Sequence, residues 1–68
     1  MKEIRTEDLT VKAKKEIERF YSSDRFQTIP VVQKIGRGYE VYFVEEDNWE
    51  LFKRQQGDNL ENYLRVVD

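Results

Sequence analysis

At 68 residues the chain has volume for one small domain and a single core, and with no cysteine it has neither disulfides nor thiolate metal sites to staple it. Twelve basic against fourteen acidic residues leave a net charge of −2, which excludes both a strong overall pull toward nucleic acid or anionic lipid and the dense acidity of a DNA mimic. Hydrophobic residues at 38% and aromatic residues at 13% are enough for a core, which excludes disorder. Met1 to Arg5 lacks the apolar centre of a secretory signal, and no later run approaches the roughly 20 apolar residues of a membrane span. The expectation is a complete cytoplasmic gene product, its small size suggesting a bacterial, phage or mobile-element source.

Leu9, Ala13, Ile17 and Phe20 recur at spacings of four and three, which predicts an N-terminal helix with a charged outer face. Thr6, followed by Glu7 and Asp8, is one candidate cap, and Thr10 is a later one. Ser22-Ser23-Asp24 is expected to end the helix. Pro30 disfavours helix at Ile29 and opens an extended segment to Ile35. Gly36-Arg37-Gly38 then predicts a tight turn, and Tyr39 to Glu45 a second strand. After a turn at Glu46-Asp47-Asn48, alternation of Trp49, Leu51 and Lys53 with Glu50, Phe52 and Arg54 predicts a third strand and an antiparallel meander.

Residues 58–68 carry two patterns. Asp58 with Glu61 has the spacing of a capping box, and Leu60, Tyr63, Leu64 and Val67 then form a helical stripe; Leu60, Leu64 and Val66 fit one side of a strand that Asn62 interrupts. The helix is favoured. The predicted class is therefore α+β, as an N-terminal helix, a three-stranded antiparallel meander and a C-terminal helix in one domain over residues 1–68, with one helix on a four-stranded antiparallel meander as the alternative.

Tyr39–Val44 is the most apolar stretch, and it has large side chains on both sides, Tyr39, Val41 and Phe43 against Tyr42 and Val44. Such a strand must be covered twice. Val31, Ile35, Tyr39, Val41, Phe43, Trp49 and Leu51 are assigned to the core beneath the first helix, with the Trp49 indole N–H at its edge. Val32, Tyr42, Val44 and Phe52, among Lys34, Glu40, Glu50 and Arg54, form the second face. Long basic stems or the C-terminal helix would account for it blandly. An aromatic patch rimmed by charge also has the composition of a protein interface, with Tyr42, Val44 and Phe52 as anchors and the four charged residues as rim. A second copy could occupy it too, since a twofold axis asks only that the patch match itself.

Catalytic and metal chemistry find little to work with. Without histidine or cysteine the usual triads, dyads, zinc sites and redox motifs are missing, and the only serines are the neighbours Ser22 and Ser23. Gly36-Arg37-Gly38 is too short for a phosphate or dinucleotide loop. Glu45-Glu46-Asp47 lacks the ligand spacing and mid-loop glycine of a calcium loop and reads as a solvated turn. No catalytic, cofactor or metal site is assigned.

Lys34, Arg37, Tyr39, Tyr42, Phe52, Lys53 and Arg54 mix bases with aromatic rings near one hairpin, as single-stranded nucleic-acid binders do, but Glu40, Glu45, Glu46, Asp47 and Glu50 in the same region repel phosphate. A helix followed by a hairpin beginning Gly38-Tyr39-Glu40-Val41 resembles many small α+β modules, PepSY-like ones among them, in layout alone. The expectation is a non-enzymatic adaptor, inhibitor or regulatory subunit that binds a protein through Val32, Lys34, Glu40, Tyr42, Val44, Glu50, Phe52 and Arg54. The alternatives are a homodimer through the same face and a nucleic-acid hairpin.

Overall fold

The computed structural model describes residues 1–22 and 27–68. Its elements run β1 (Lys2–Arg5), α1 (Val11–Ser22), β2 (Thr28–Ile35), β3 (Gly38–Glu45), α2 (Trp49–Gln56) and β4 (Tyr63–Val67). The strands form one mixed sheet in the order β1-β4-β2-β3, with β1 parallel to β4 and the other two pairings antiparallel. The α+β class holds, and the sheet has the four strands of the alternative prediction, with the C-terminal segment as one of them. The remaining details differ from both predicted layouts: the expected third strand at Trp49 to Arg54 is helix α2, and the additional strand is β1 at the N-terminus.

Of the two candidate caps, Thr10 starts α1. Its Oγ1 accepts the Ala13 N–H at 3.2 Å and its carbonyl accepts the Lys14 N–H at 3.0 Å. Thr6 instead ties the exit of β1 to β4, its hydroxyl donating to the Val67 carbonyl at 3.3 Å. The helix extends to Ser22, and the expected stop at Ser23 and Asp24 lies outside the described residues. Leu9, Ala13 and Ile17 are buried, and they pack with Val32 and Val66.

A two-residue turn at Gly36-Arg37 joins β2 to β3. Gly36 has φ +59° and Arg37 has no positive φ, the type II′ pattern that suits a twisted hairpin. This turn fixes the register, pairing Ile35 with Gly38 and hence Val32 with Val41. A three-residue turn would have shifted the pairing by one. That shift explains why the predicted faces of Val31 and Val32 are exchanged: Val32 lies beneath α1 and Val31 on the opposite side. Tyr39, Val41 and Phe43 do lie on the α1 side, Phe20 stacking on Phe43 with ring centroids 3.7 Å apart.

Pro30 sits inside β2, facing Phe43. The last registered β2–β4 pair is Val31 with Arg65, so the missing N–H of Pro30 falls beyond the shared ladder and costs no bond there. Residues 57–62 form a 3₁₀ stretch rather than the favoured C-terminal helix; its N-cap position is Gln56, without a side-chain cap, and Asp58 lies inside its first turn. Gly57 closes α2 with φ +54° and ψ −127°, a backbone region that side chains rarely enter. Gly57→Ala meets no steric neighbour, so its cost is purely the backbone strain, about 1–3 kcal/mol. Urea denaturation should show that loss with an unchanged slope; full stability would contradict the observed conformation.

Candidate protein-binding edge

Val31 and Val32 are neighbours on opposite faces of β2, and both are 0% exposed. Each face therefore has its own cover. On the far side from α1, Ile29, Val31 and Tyr63 are buried, with Tyr42, Val44, Trp49 and Phe52 packed against them. The rings interlock: Phe52 meets Tyr63 edge-on at 5.5 Å, Tyr42 meets Tyr63 at 5.8 Å, and Trp49 stacks on Phe52 at 5.8 Å. Lys53 and Arg65 lie over the Trp49 ring at 5.8 and 5.7 Å.

These contacts change the standing of the predicted binding residues. Val32 is in the core and is unavailable to any partner. Tyr42, Val44 and Phe52 do come together, but as half-buried members of the aromatic cluster that α2 closes. Glu40 remains exposed on the same side of β3, while Lys34 is exposed on the other side of the sheet, in the row of Val32 and Tyr39. Glu50 and Arg54 lie on α2, where Glu50 pairs with Lys53 at 3.0 Å instead of flanking a strand. Of the residues assigned to the first core, Trp49 belongs to the second cluster, and Ile35 and Leu51 are about half exposed, at 53% and 50%. The signal for α2 was present in the sequence: Trp49, Phe52, Lys53 and Gln56, the shielded positions, recur at three, four and seven.

With both faces occupied, the margins of the sheet are what is left. Counting from the Ile35–Gly38 pair that closes the turn, the backbone groups of Gly38, Glu40, Tyr42 and Val44 point at β2, and those of Tyr39, Val41, Phe43 and Glu45 point outward. No strand takes up that outward row among the described residues. Eight residues long, β3 carries no proline, no lysine and no bulge, the devices that normally blunt a sheet edge. The opposite margin, β1, is better protected: it is four residues long and three of them, Lys2, Glu3 and Arg5, are charged, against Glu40 and Glu45 among the eight of β3.

Hollows flank β3 on both sides. One is lined by Thr10, Lys12, Glu16, Ile35, Tyr39 and Val41, the other by Phe43, Val44, Asn48, Leu51, Phe52 and Gln55. Of the exposed large apolar side chains among the described residues, Ile35 lines the first hollow, Leu51 the second, and Tyr21 lies edge-on to the Phe20 ring that stacks on Phe43, while Met1 and Val11 line neither. Loss of water around the ring, then the hydrogen bond and charge of Glu40, raise the Tyr42 hydroxyl above the ordinary phenol range, so it stays a neutral donor. Tyr21 is pushed the same way by burial and by the Asp68 carboxylate.

Among the described residues no group of acidic side chains is placed to hold a metal ion, and no helix is long and apolar enough to cross a membrane. No family model, curated protein or solved structure matches the chain.

Phe52 is therefore a packing residue. Phe52→Ala removes a ring held between Trp49 and Tyr63 and should destabilise the fold by about 2–3 kcal/mol, somewhat below the cost at a fully buried site. For a domain of this size that lowers the melting temperature by roughly 10 °C or more. An unchanged melting temperature would put Phe52 back on an open surface.

Proposed function

We propose that this chain is a small non-enzymatic protein–protein interaction module, an adaptor, inhibitor or regulatory subunit, that takes its partner by strand addition along β3. The observation that carries this reading is the unpaired outer edge of β3, with four residues' backbone groups directed outward and hollows of mixed polar and apolar lining on both sides. In this mode main-chain hydrogen bonds to Tyr39, Val41, Phe43 and Glu45 supply affinity, while alternate side chains of the incoming strand enter the two hollows and supply specificity. Leu51, Ile35 and Tyr21 provide apolar area at the rim. Glu40, with the acidic run Glu45-Glu46-Asp47, orients the partner electrostatically. A cytoplasmic setting suits a cysteine-free chain of this kind.

Nucleic-acid binding is the weaker reading. Tyr42 and Phe52 are engaged in the aromatic cluster, Lys53 and Arg65 lie over Trp49, and the β3 edge carries acids that repel phosphate.

Val41→Pro separates the edge from the fold. The N–H it removes points outward, so the β2–β3 ladder keeps its bonds; Val41 also packs against the core beneath α1, so the melting temperature should fall by roughly 5–10 °C while the fold is kept. A photocrosslinking residue in place of Leu51 should then form a discrete protein adduct in the producing cell, and Val41→Pro should abolish it. An adduct that survives Val41→Pro in a folded protein, or none at all, would count against strand addition.

A further inference from the structure

Resting on the strand-addition reading, we infer that the chain taken up by β3 is a second copy of this protein, paired antiparallel about a twofold axis that passes beside Tyr42. The inference comes from how charge is distributed along the edge. The start of β3 follows a basic hairpin tip, with Arg37 in the turn and Lys34 beside it on β2. Its end runs into Glu45, Glu46 and Asp47, all exposed. Antiparallel self-pairing brings the basic end of each copy to the acidic end of the other, twice over, whereas parallel pairing would set like charges together. A foreign strand would need the same gradient; a second copy has it by construction.

Symmetry and hydrogen bonding then select the register. A twofold axis perpendicular to the sheet keeps both α1 helices on one face, so each residue must oppose one from the same side of β3. Centring the pair on Tyr42 sets Val41 opposite Phe43 and Tyr39 opposite Glu45 of the second copy. All four outward-facing residues are then used, each matched with another outward-facing one. Beyond the strands, it brings the hairpin tip that carries Arg37 to the same end as the partner's 3₁₀ turn Glu46–Asn48, which carries Asp47. Centring on Glu40 would place two carboxylates face to face, and centring on Val41 leaves Glu45 outside the ladder. The Tyr42 register also keeps Glu40 opposite Val44, so no like charges meet within the strands. The result is a continuous eight-stranded sheet whose two remaining margins are the short, charged β1 strands.

Charge reversal tests this in a way that no foreign partner would reproduce. Light scattering across a wide concentration range should show the 8.3 kDa chain moving to twice that mass. Arg37→Asp and Asp47→Arg each create two repulsive pairs in a self-dimer and should each weaken it by about tenfold or more. Mixed in equal amounts, they restore two attractive pairs and should form a heterodimer tighter than either variant alone. A wild-type chain that stays at monomer mass throughout would overturn self-pairing, and the crosslink from Leu51 would still judge strand addition separately. A dimer indifferent to both charge variants and to Val41→Pro would lie elsewhere on the surface and would equally overturn it.

Discussion

Two adjacent valines, Val31 and Val32, must both be out of water although a strand points them in opposite directions. That demand organises the molecule. A hairpin apolar on both sides cannot be a one-faced meander under a single helix, so the chain spends its two helices on opposite faces. α1 brings Leu9, Ala13 and Ile17 to one side, and α2 brings Trp49 and Phe52 to the other. Neither 12-residue α1 nor 8-residue α2 would be stable alone; each is held by what it covers. The aromatic rings around Tyr63 give the second, smaller cluster its area, and cation–π contacts from Lys53 and Arg65 close the outer side of Trp49.

With both faces covered, no strand among the described residues lies along the outer side of β3. β1 needs no protection beyond its shortness and charge. On β3, eight residues rich in aromatic and β-branched side chains make a composition that pairs readily, with Glu40 and Glu45 its only charges and no proline or bulge. An exposed edge of this kind is a liability in a monomer, so its retention is most simply understood as use. In the proposed strand addition, the acid at one end and the base at the other would bias which strand is accepted and in which direction.

Much of this was legible in the residues, and the failures have physical causes. The helix at α1, the β2–β3 hairpin and the need for a second cover on Tyr42 and Val44 follow from periodicity and turn chemistry. The hairpin register did not, because Gly36-Arg37-Gly38 reads equally as a two- or three-residue turn, and one residue of slip exchanges the faces of Val31 and Val32. Helix α2 is hidden by a chance period-two alternation of Trp49, Leu51 and Lys53 with Glu50, Phe52 and Arg54, although the three-four-seven spacing of Trp49, Phe52, Lys53 and Gln56 is also there. β1 gave almost no signal, since Ile4 is its only residue packed on the core and its place depends on pairing with β4. In the sequence the side chains of Tyr42, Val44 and Phe52 look like an open face, whereas what the fold leaves open at β3 is backbone. Which strand lies at a margin is a property of the sheet order and has no local signature.

Amide hydrogen exchange along β3, in protein dilute enough to be monomeric, addresses the open edge most directly. The account requires a two-residue alternation, with Tyr39, Val41, Phe43 and Glu45 exchanging much faster than Glu40, Tyr42 and Val44, whose N–H groups are bonded to β2. Uniform protection of all seven in the monomer would mean that the outer edge of β3 is already covered, and strand addition there would be wrong.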